Sequence, residues 1–229
     1  MTTVGAIIVG AGRGERMGGV DKVFAPLDGK PILTYSIAAF QASELIEAIV
    51  VVLNERNVEQ GRAIIRAGGW DKVIAVITGG ARRQDSTRAG IAALQSYDIV
   101  AVHDAARPFV TTELIRRGVE ATILHGAAIA AMPVKETIKH VDATGLILNT
   151  PPRESLWAAQ TPQFARREAL DRALAEAQAR GATVTDEAAA LETVGERVTV
   201  FAGAYTNLKV TTPEDLILAA ALLEAGVGR

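Results

Sequence analysis

An α/β fold with a mostly parallel sheet is predicted for this chain of 229 residues. Short apolar runs alternate along its whole length with segments of helical periodicity, which is the pattern of strands connected by helices. The apolar runs are continuous instead of alternating, so the strands are expected to be buried on both faces. A hydrophobic content of 49% suits one full core. These features predict a single Rossmann-like domain over residues 1–229.

The predicted strands and helices follow one another in a regular order. The strands are Ala6–Val9, Ala48–Leu53, Val73–Ile77, Ile99–His103, Ala127–Pro133 and Val198–Phe201. The helices are Pro31–Gln41, Val58–Ala67, Ser86–Gln95, Thr112–His125, Arg166–Arg180, Asp186–Val194 and Pro213–Glu224. Thr212 is expected to cap the last helix, with Pro213 at its first position.

One segment, at about residues 136–150, departs from this order. Residues 136–141 and 146–150 flank Asp142-Ala143-Thr144-Gly145, which reads as a β-hairpin with a short turn containing glycine. Both halves carry apolar residues that have no obvious place in the core. We predict a projecting hairpin arm, which either pairs with a second copy of the chain or folds onto its own domain.

The first strand leads into a loop suited to phosphate binding. It reads Gly10-Ala11-Gly12-Arg13-Gly14-Glu15-Arg16-Met17, and Lys22 follows a few residues later. Glycines let backbone N–H groups approach anionic oxygens closely, and the cations supply charge. Ligands in such folds sit at the carboxyl ends of the strands, where this loop and His103-Asp104 would both lie.

Spacing excludes two common phosphate loops. The dinucleotide pattern G-x-G-x-x-G would require glycine at Glu15 or at Met17. The pattern G-x-x-x-x-G-K-[ST] fits Gly14 and Gly19, but Val20-Asp21 follows. The remaining pattern resembles the loop of sugar-nucleotidyltransferases, which bind a nucleoside triphosphate. An ordinary tight turn between strand and helix is the alternative.

Composition excludes several classes of protein. A formal net charge of −2 provides no general basic field, so nucleic acid is not an expected partner. The absence of cysteine excludes disulfides and thiolate metal sites, and the three histidines lack zinc spacing. No signal peptide is visible, and the apolar run at residues 216–223 is too short to cross a bilayer. We therefore expect a cytoplasmic protein without membrane association.

Further motifs occur in a fixed order along the chain. They are Gly79-Gly80 with Arg83-Gln84-Asp85-Ser86, His103-Asp104-Ala105-Ala106-Arg107-Pro108, Thr161-Pro162-Gln163-Phe164, Gly181-Ala182-Thr183-Val184-Thr185-Asp186-Glu187-Ala188 and Asn207-Leu208-Lys209-Val210-Thr211. Together with the first loop, this set resembles the 2-C-methyl-D-erythritol 4-phosphate cytidylyltransferase family of the non-mevalonate isoprenoid pathway. The resemblance extends over nearly the whole chain.

The resemblance implies an enzyme of defined activity, a nucleotidyltransferase. The phosphate of methylerythritol phosphate attacks the α-phosphorus of CTP, pyrophosphate leaves, and 4-diphosphocytidyl-2-C-methyl-D-erythritol forms. Because a phosphate is already a nucleophile near neutral pH, positioning and electrostatics should dominate catalysis. The family implies Mg²⁺ as cofactor, bound through the nucleotide phosphates, and a homodimer in which the arm takes part; no protein metal ligand is assigned.

The resemblance also assigns roles to residues of this chain. The implied catalytic residues are Arg16, Lys22, Arg153 and Lys209, of which the last two would hold the attacking phosphate. The implied nucleotide-binding residues are Gly10, Ala11, Gly12, Gly80 and Ser86. The implied substrate-binding residues are Asp104, Arg107, Thr137 and Thr185.

Other interpretations of these residues stay open at this stage. Ser86 and Thr185 could each cap the helix that follows. Asp104 could contact the metal, Arg153 could be an ordinary loop arginine, and His103 is interpreted as a packed structural histidine, not a base. For the chain as a whole, the alternatives are a cytidylyltransferase for another polyol phosphate, such as ribitol 5-phosphate, and a non-catalytic nucleotide-binding module.

Overall fold

The computed structural model describes residues 2–12 and 21–228. The strands are β1 (Val4–Gly10), β2 (Pro26–Leu27), β3 (Lys30–Pro31), β4 (Ala48–Leu53), β5 (Val73–Thr78), β6 (Ile99–Asp104), β7 (Ala127–Pro133), β8 (His140–Val141), β9 (Ile147–Asn149), β10 (Trp157–Arg166) and β11 (Thr199–Ala202). The helices are α1 (Ile32–Ala42), α2 (Val58–Gly68), α3 (Arg83–Ala92), α4 (Thr112–His125), α5 (Arg167–Ala179), α6 (Glu187–Thr193) and α7 (Pro213–Glu224).

The central sheet has seven strands in the order β11-β7-β10-β6-β1-β4-β5. Strand β10 runs antiparallel to both of its neighbours, while the other adjacent pairs are parallel. The predicted α/β fold with a mostly parallel sheet is therefore confirmed. Each position of β4 and of β6 is buried, as the continuous apolar runs predicted.

Helices cover both faces of the sheet. On one face, Ile37 of α1 and Ile115 of α4 pack with Ile8 of β1. On the other face, Ile91 of α3 and Leu174 of α5 pack with Ile7 of the same strand. Adjacent residues of β1 thus point to opposite layers, which is the alternation of a strand buried on both sides.

The structure corrects several predicted boundaries. The six predicted strands are present, but β10 was missed, because Gln160, Thr161 and Pro162 interrupt its apolar pattern. Helix α3 was predicted from Ser86 but begins at Arg83. The N-cap of α6 is Asp186, whose side chain accepts a hydrogen bond from the Ala189 backbone N–H at 2.9 Å, so Thr185 is not the cap.

The C-terminal helix α7 packs at one end of the domain. Ala219 and Leu223 bury against Ile32, Phe109 and the small β2–β3 sheet. The Thr212 hydroxyl accepts from the Asp215 N–H and Pro213 is the first helical residue, as predicted. Among the helices within residues 2–12 and 21–228, none is long and apolar enough to cross a membrane.

Strands β8 and β9 form the predicted hairpin arm. The Asp142 carboxylate accepts from the backbone N–H groups of Thr144 and Leu146, which closes the turn, and Gly145 has a positive φ of 87°. Leu146 is 66% exposed and Ile147 55%, so these side chains do not fold onto their own domain. This excludes one of the two predicted arrangements of the arm.

Candidate active site

The candidate site lies where parallel strands end at one edge of the sheet. Val9 pairs with Asp104 in register, and Gly10 pairs with Leu53. The Ala105 N–H donates to the Val9 carbonyl at 2.9 Å, which ties the start of the loop after β6 to the end of β1. The ends of β1 and β6 therefore lie at the same edge of the sheet, as predicted.

The loop after β1 contacts the loop after β5. A Cβ at Gly79 would lie 2.6 Å from the Ala11 Cβ and 2.5 Å from the Ser86 Oγ, so the backbone at Gly79 makes room for both. The Ser86 hydroxyl donates to the Arg82 carbonyl at 3.3 Å and accepts from the Gly80 N–H at 3.2 Å. Ser86 lies in the first turn of α3 and holds the preceding loop, so it is not the helix cap.

The predicted nucleotide-binding residues therefore fall into one place. Ala11 packs against the loop that carries Gly80, Gly10 ends β1 beside Leu53, and Gly12 is exposed. Arg16, the predicted catalytic arginine, lies outside the described residues. Main-chain groups at such a double loop are free to approach an anionic ligand closely because no Cβ intervenes at the glycines.

Lys22 follows an anchored aspartate. The Asp21 carboxylate accepts from the side-chain amide of Asn54 at 2.7 Å and from that of Asn57, and it also accepts from the Val23 N–H at 3.2 Å. Burial raises the pKa of Asp21 against these hydrogen bonds. The anchor fixes the backbone on which Lys22 stands, beside the end of β4.

Asp104 is the centre of a cationic cluster. Its Oδ2 lies 2.7 Å from the Lys209 Nζ and 3.9 Å from the Arg107 Nε, and its Oδ1 lies 3.3 Å from the Arg83 Nη2. Burial alone would raise the pKa of Asp104, but the charges of Arg83, Lys209 and Arg107 outweigh it and hold the pKa well below its usual range. The structure brings Asp104, Arg107 and Lys209 together.

Arg107 is held by the segment that carries Lys209. Its Nη1 donates to the Asn207 carbonyl at 2.7 Å, and burial lowers the pKa of its guanidinium. The Asn207 side-chain amide in turn donates to the Thr161 carbonyl at 2.8 Å. These contacts fix the loop before α7 against β6 and β10.

His103 is a structural residue in this arrangement. It is fully buried, its Nε2 lies 3.1 Å from the Arg107 carbonyl, and its Nδ1 lies 3.2 Å from the Thr161 hydroxyl. Burial lowers its pKa to about 4. A neutral ring with hydrogen on Nε2 satisfies both contacts, because the Thr161 Oγ accepts from the Asp104 N–H and can donate to Nδ1.

Two functional candidates, Arg83 and Glu187, were not predicted from the sequence, although both lie in motifs that carry the resemblance. Arg83 connects Asp104 to Glu187, whose Oε1 accepts from the Arg83 Nη1 at 2.6 Å. Burial would lower the pKa of Arg83, but the two carboxylates outweigh it and raise the pKa. The sequence signals that could have found them are the charged residues within two of these motifs. They are the arginine in Arg83-Gln84-Asp85-Ser86 and the glutamate in Thr185-Asp186-Glu187-Ala188.

The remaining predicted residues lie elsewhere on the surface. Thr137 and Thr185 are exposed. Arg153 is exposed at the base of the arm, where its Nη1 donates to the Lys135 carbonyl at 2.8 Å. The Lys135 ammonium stacks 3.5 Å from the centre of the Tyr205 ring, and the Tyr205 hydroxyl donates to the Pro133 carbonyl. Within one chain, Arg153 belongs to the arm and not to the Asp104 cluster.

Within the described part of the chain, no group of three or more histidine, aspartate or glutamate side chains could hold a metal ion. Asp104, the one predicted site carboxylate, directs its Oδ1 at Arg83 and its Oδ2 at Lys209. A cation bound directly by Asp104 would have to displace one of them. The donor set therefore does not fit a metal ion held by Asp104.

A glycine-rich loop after the first strand of a mostly parallel sheet, with cations at the adjacent strand end, is the arrangement expected of a nucleotidyltransferase. Comparison with known proteins specifies which one. The family model described as 2-C-methyl-D-erythritol 4-phosphate cytidylyltransferase (IspD) matches residues 4–225, and the chain belongs to this family.

Individual relatives match this chain over nearly its full length. The protein of that name from Dehalococcoides mccartyi is 43% identical over 223 residues, which cover 97% of this chain and 97% of the relative. The crystal structure of 4-diphosphocytidyl-2C-methyl-D-erythritol synthase from Anaerococcus prevotii superimposes with a TM-score of 0.88 at 28% identity, covering 97% of this chain and 96% of that one. The Francisella tularensis cytidylyltransferase structure gives a TM-score of 0.80 at 31% identity, covering 95% of this chain and 98% of that one.

Proposed function

We propose that this protein transfers CMP from CTP to the phosphate of 2-C-methyl-D-erythritol 4-phosphate. Family membership over residues 4–225 supports the reaction. The Asp104 cluster is the observation that relates this reaction to individual residues. It holds Lys209 and Arg107 at the same edge of the sheet as the glycine loop. An acceptor phosphate oxygen forms a bond to the α-phosphorus of CTP as the α–β bridging bond breaks, and pyrophosphate leaves.

The acceptor phosphate would bind at Lys209 and Arg107. Three cationic side chains surround two carboxylates in this cluster, so these five side chains together carry one positive charge in excess. That excess attracts a phosphate, while Asp104 keeps the cations apart and oriented. No general base is needed, since the phosphate is already ionised, and His103 is too deeply buried to serve as one.

The nucleotide would bind across the double loop. Backbone groups of Gly10, Ala11 and Gly12 would contact the triphosphate, together with Lys22 and Arg16. Gly80, held by Ser86, would contact the cytosine. Lys22 supplies a compact charge where negative charge develops on the leaving oxygens, which is the main requirement of this chemistry.

Mg²⁺ would be coordinated by the phosphate oxygens of CTP and by water. Because the carboxylate oxygens of Asp104 are taken by Arg83 and Lys209, we derive no step through a metal bound to this residue. When bound to the nucleotide, Mg²⁺ neutralises part of the triphosphate charge.

We further propose a homodimer formed through the arm, acting in the cytoplasm. Leu146, Ile147 and Leu148 leave a large apolar surface on the arm exposed in one chain. Arg153 and Thr137 stand at the base of this arm, so pairing of two arms would carry both residues toward the other copy. This accounts for substrate-binding roles at residues that lie outside the Asp104 cluster of their own chain.

The test is pyrophosphate release with CTP and Mg²⁺, offering methylerythritol 4-phosphate and ribitol 5-phosphate in parallel. Release with methylerythritol phosphate alone is expected. Release with ribitol phosphate alone would keep the nucleotide site but replace the acceptor. If neither acceptor gives pyrophosphate release while calorimetry shows CTP binding, the non-catalytic nucleotide-binding module would be supported instead.

A further inference from the structure

We propose that Glu187 is a positioning residue for the acceptor site. By holding one side of the Arg83 guanidinium, it fixes the Asp104 carboxylate in the orientation that presents Oδ2 to Lys209. This inference rests on the proposed function, in which Lys209 binds the acceptor phosphate. Glu187 itself would not touch the substrate.

The burial of Glu187 is the first observation. Its side chain is 3% exposed, and its Oε2 is buried without a hydrogen-bond partner among the described residues. Its Oε1 accepts from the Arg83 Nη1 at 2.6 Å and from the Thr87 hydroxyl at 3.0 Å. Burying a carboxylate costs desolvation free energy that its partners must offset. For packing alone, a neutral side chain at this position would therefore be more favourable.

The division of the Asp104 oxygens is the second observation. The Arg83 Nε and Nη2 both donate to Oδ1, each at 3.3 Å. The other oxygen, Oδ2, is left for the Lys209 Nζ at 2.7 Å. A guanidinium anchored at Nη1 presents its remaining donors in a fixed plane, which prevents the carboxylate from rotating.

Glu187 is itself held from the opposite side. Its backbone N–H and that of Ala188 donate to the Gln163 Oε1 at 3.0 and 3.1 Å. The Gln163 amide also donates to the Asp186 carboxylate at 2.9 Å. The start of α6 is thus tied to β10, and the chain of contacts runs from β10 through Glu187, Arg83 and Asp104 to Lys209.

Glu187→Gln keeps the shape of the side chain and removes its charge. We expect the KM for methylerythritol phosphate to rise about tenfold, because Arg83 loses the charge-assisted hydrogen bond that holds it. The KM for CTP should stay within about twofold, because Ser86 and Gly80 keep their own hydrogen bond. The matched control is Glu176→Gln, which removes an exposed carboxylate paired with Arg180.

A second variant tests the same proposal if Glu187→Gln fails to fold. Arg83→Lys retains the positive charge but cannot donate to Glu187 and to Asp104 in one plane. It should reproduce the rise in acceptor KM, with a circular dichroism spectrum like that of the wild type. An acceptor KM unchanged in a folded variant, or a rise in the KM for CTP alone, would overturn the proposal.

A measurement without substrate separates this proposal from the proposed function. The Arg83 Nε–H signal in NMR should show an ordered side chain in the wild type and a mobile one in Glu187→Gln. Wild-type protein that is inactive with methylerythritol phosphate would refute the proposed function. An Arg83 side chain that stays equally rigid in Glu187→Gln would refute the positioning role whatever the activity.

Discussion

Gly79 and Ala11 stand so close together that a side chain at Gly79 would collide with the methyl group of Ala11. The distance from an added Cβ to the Ala11 Cβ would be 2.6 Å. This proximity joins the loop after β1 to the loop after β5, although 68 residues separate the two positions in the sequence. The two halves of the proposed nucleotide site are therefore one packed unit.

Gly79→Ala should weaken CTP binding. The added methyl group also meets the Ser86 Oγ at 2.5 Å, so both Ser86 and Ala11 must give way. We expect a rise in the KM for CTP of about tenfold or more and a loss of about 1–3 kcal/mol of stability, as overpacking usually causes. Steady-state kinetics and urea unfolding measure the two effects.

The double variant Gly79→Ala/Ala11→Gly is the control for this prediction. Removing the Ala11 methyl relieves one of the two collisions, so part of the lost stability should return. A double variant in which the two changes simply add would show that the contact between these loops is not the cause.

Lys209→Met should raise the KM for the acceptor much more than the KM for CTP. Its ammonium lies on the Asp104 Oδ2, in the cluster proposed to bind the acceptor phosphate. We expect a loss of kcat/KM of about 10²–10³, typical of one preorganised group. The exposed Lys30, changed to Met, is the matched control and should retain wild-type kinetics. Equal effects on both KM values would argue against a role specific to the acceptor.

Lys22→Ala and Arg16→Ala should each reduce turnover about 10²–10³-fold without unfolding the protein. Lys22 follows the anchored Asp21, and the contacts of Asp21 with Asn54 and Asn57 do not involve the Lys22 side chain. A circular dichroism spectrum like that of the wild type would show that each variant is folded. Near-normal turnover in either purified variant would contradict the assigned roles.

Stability should fall in two stages as the pH is lowered. The folded pKa of His103, about 4, lies below its ordinary value of 6.5, and the pKa of Asp104 also lies below its ordinary value of 3.8. The unfolded chain then binds more protons than the folded one, so stability is lost as pH falls. His103 contributes a loss of about 3 kcal/mol between about pH 6.5 and 4, and Asp104 acts below about pH 4.

Urea unfolding at a series of pH values tests this assignment. His103→Gln should flatten the curve between about pH 6.5 and 4, whatever its absolute stability. His140 is exposed on the arm, and His140→Gln is the matched control variant. Parallel curves for wild type and His103→Gln would show that another group is responsible.

Replacement of an exposed leucine on the arm should shift the protein from dimer to monomer. Leu146→Glu places a charge on a side chain that is 66% exposed in one chain and proposed to be covered in the dimer. Light scattering after gel filtration should then give about 24 kDa instead of about twice that mass. Leu124→Glu, at a site on α4 that is 76% exposed, should remain dimeric, and a monomeric wild type would contradict the proposal.

The sequence predicted the parallel strands because their apolar runs are continuous and need no tertiary information. It did not predict β10, because the polar residues Thr161 and Gln163 interrupt the apolar pattern of this strand. Thr161 contacts His103 and Gln163 accepts from the start of α6, and the sequence alone does not show these tertiary contacts. Asp104 and Lys209 were found through motifs. Arg83 and Glu187 were passed over, because 104 residues separate them and periodicity cannot pair distant charges across layers.

The carboxylate of Asp104 gives the acceptor pocket an internal counter-ion. Lys209 already faces an anion at 2.7 Å, so an arriving phosphate would meet a cation whose charge is partly neutralised. Binding to such a cation should depend less steeply on salt than the number of cations suggests. The same partial neutralisation limits the affinity of the site for the product, which favours turnover over retention.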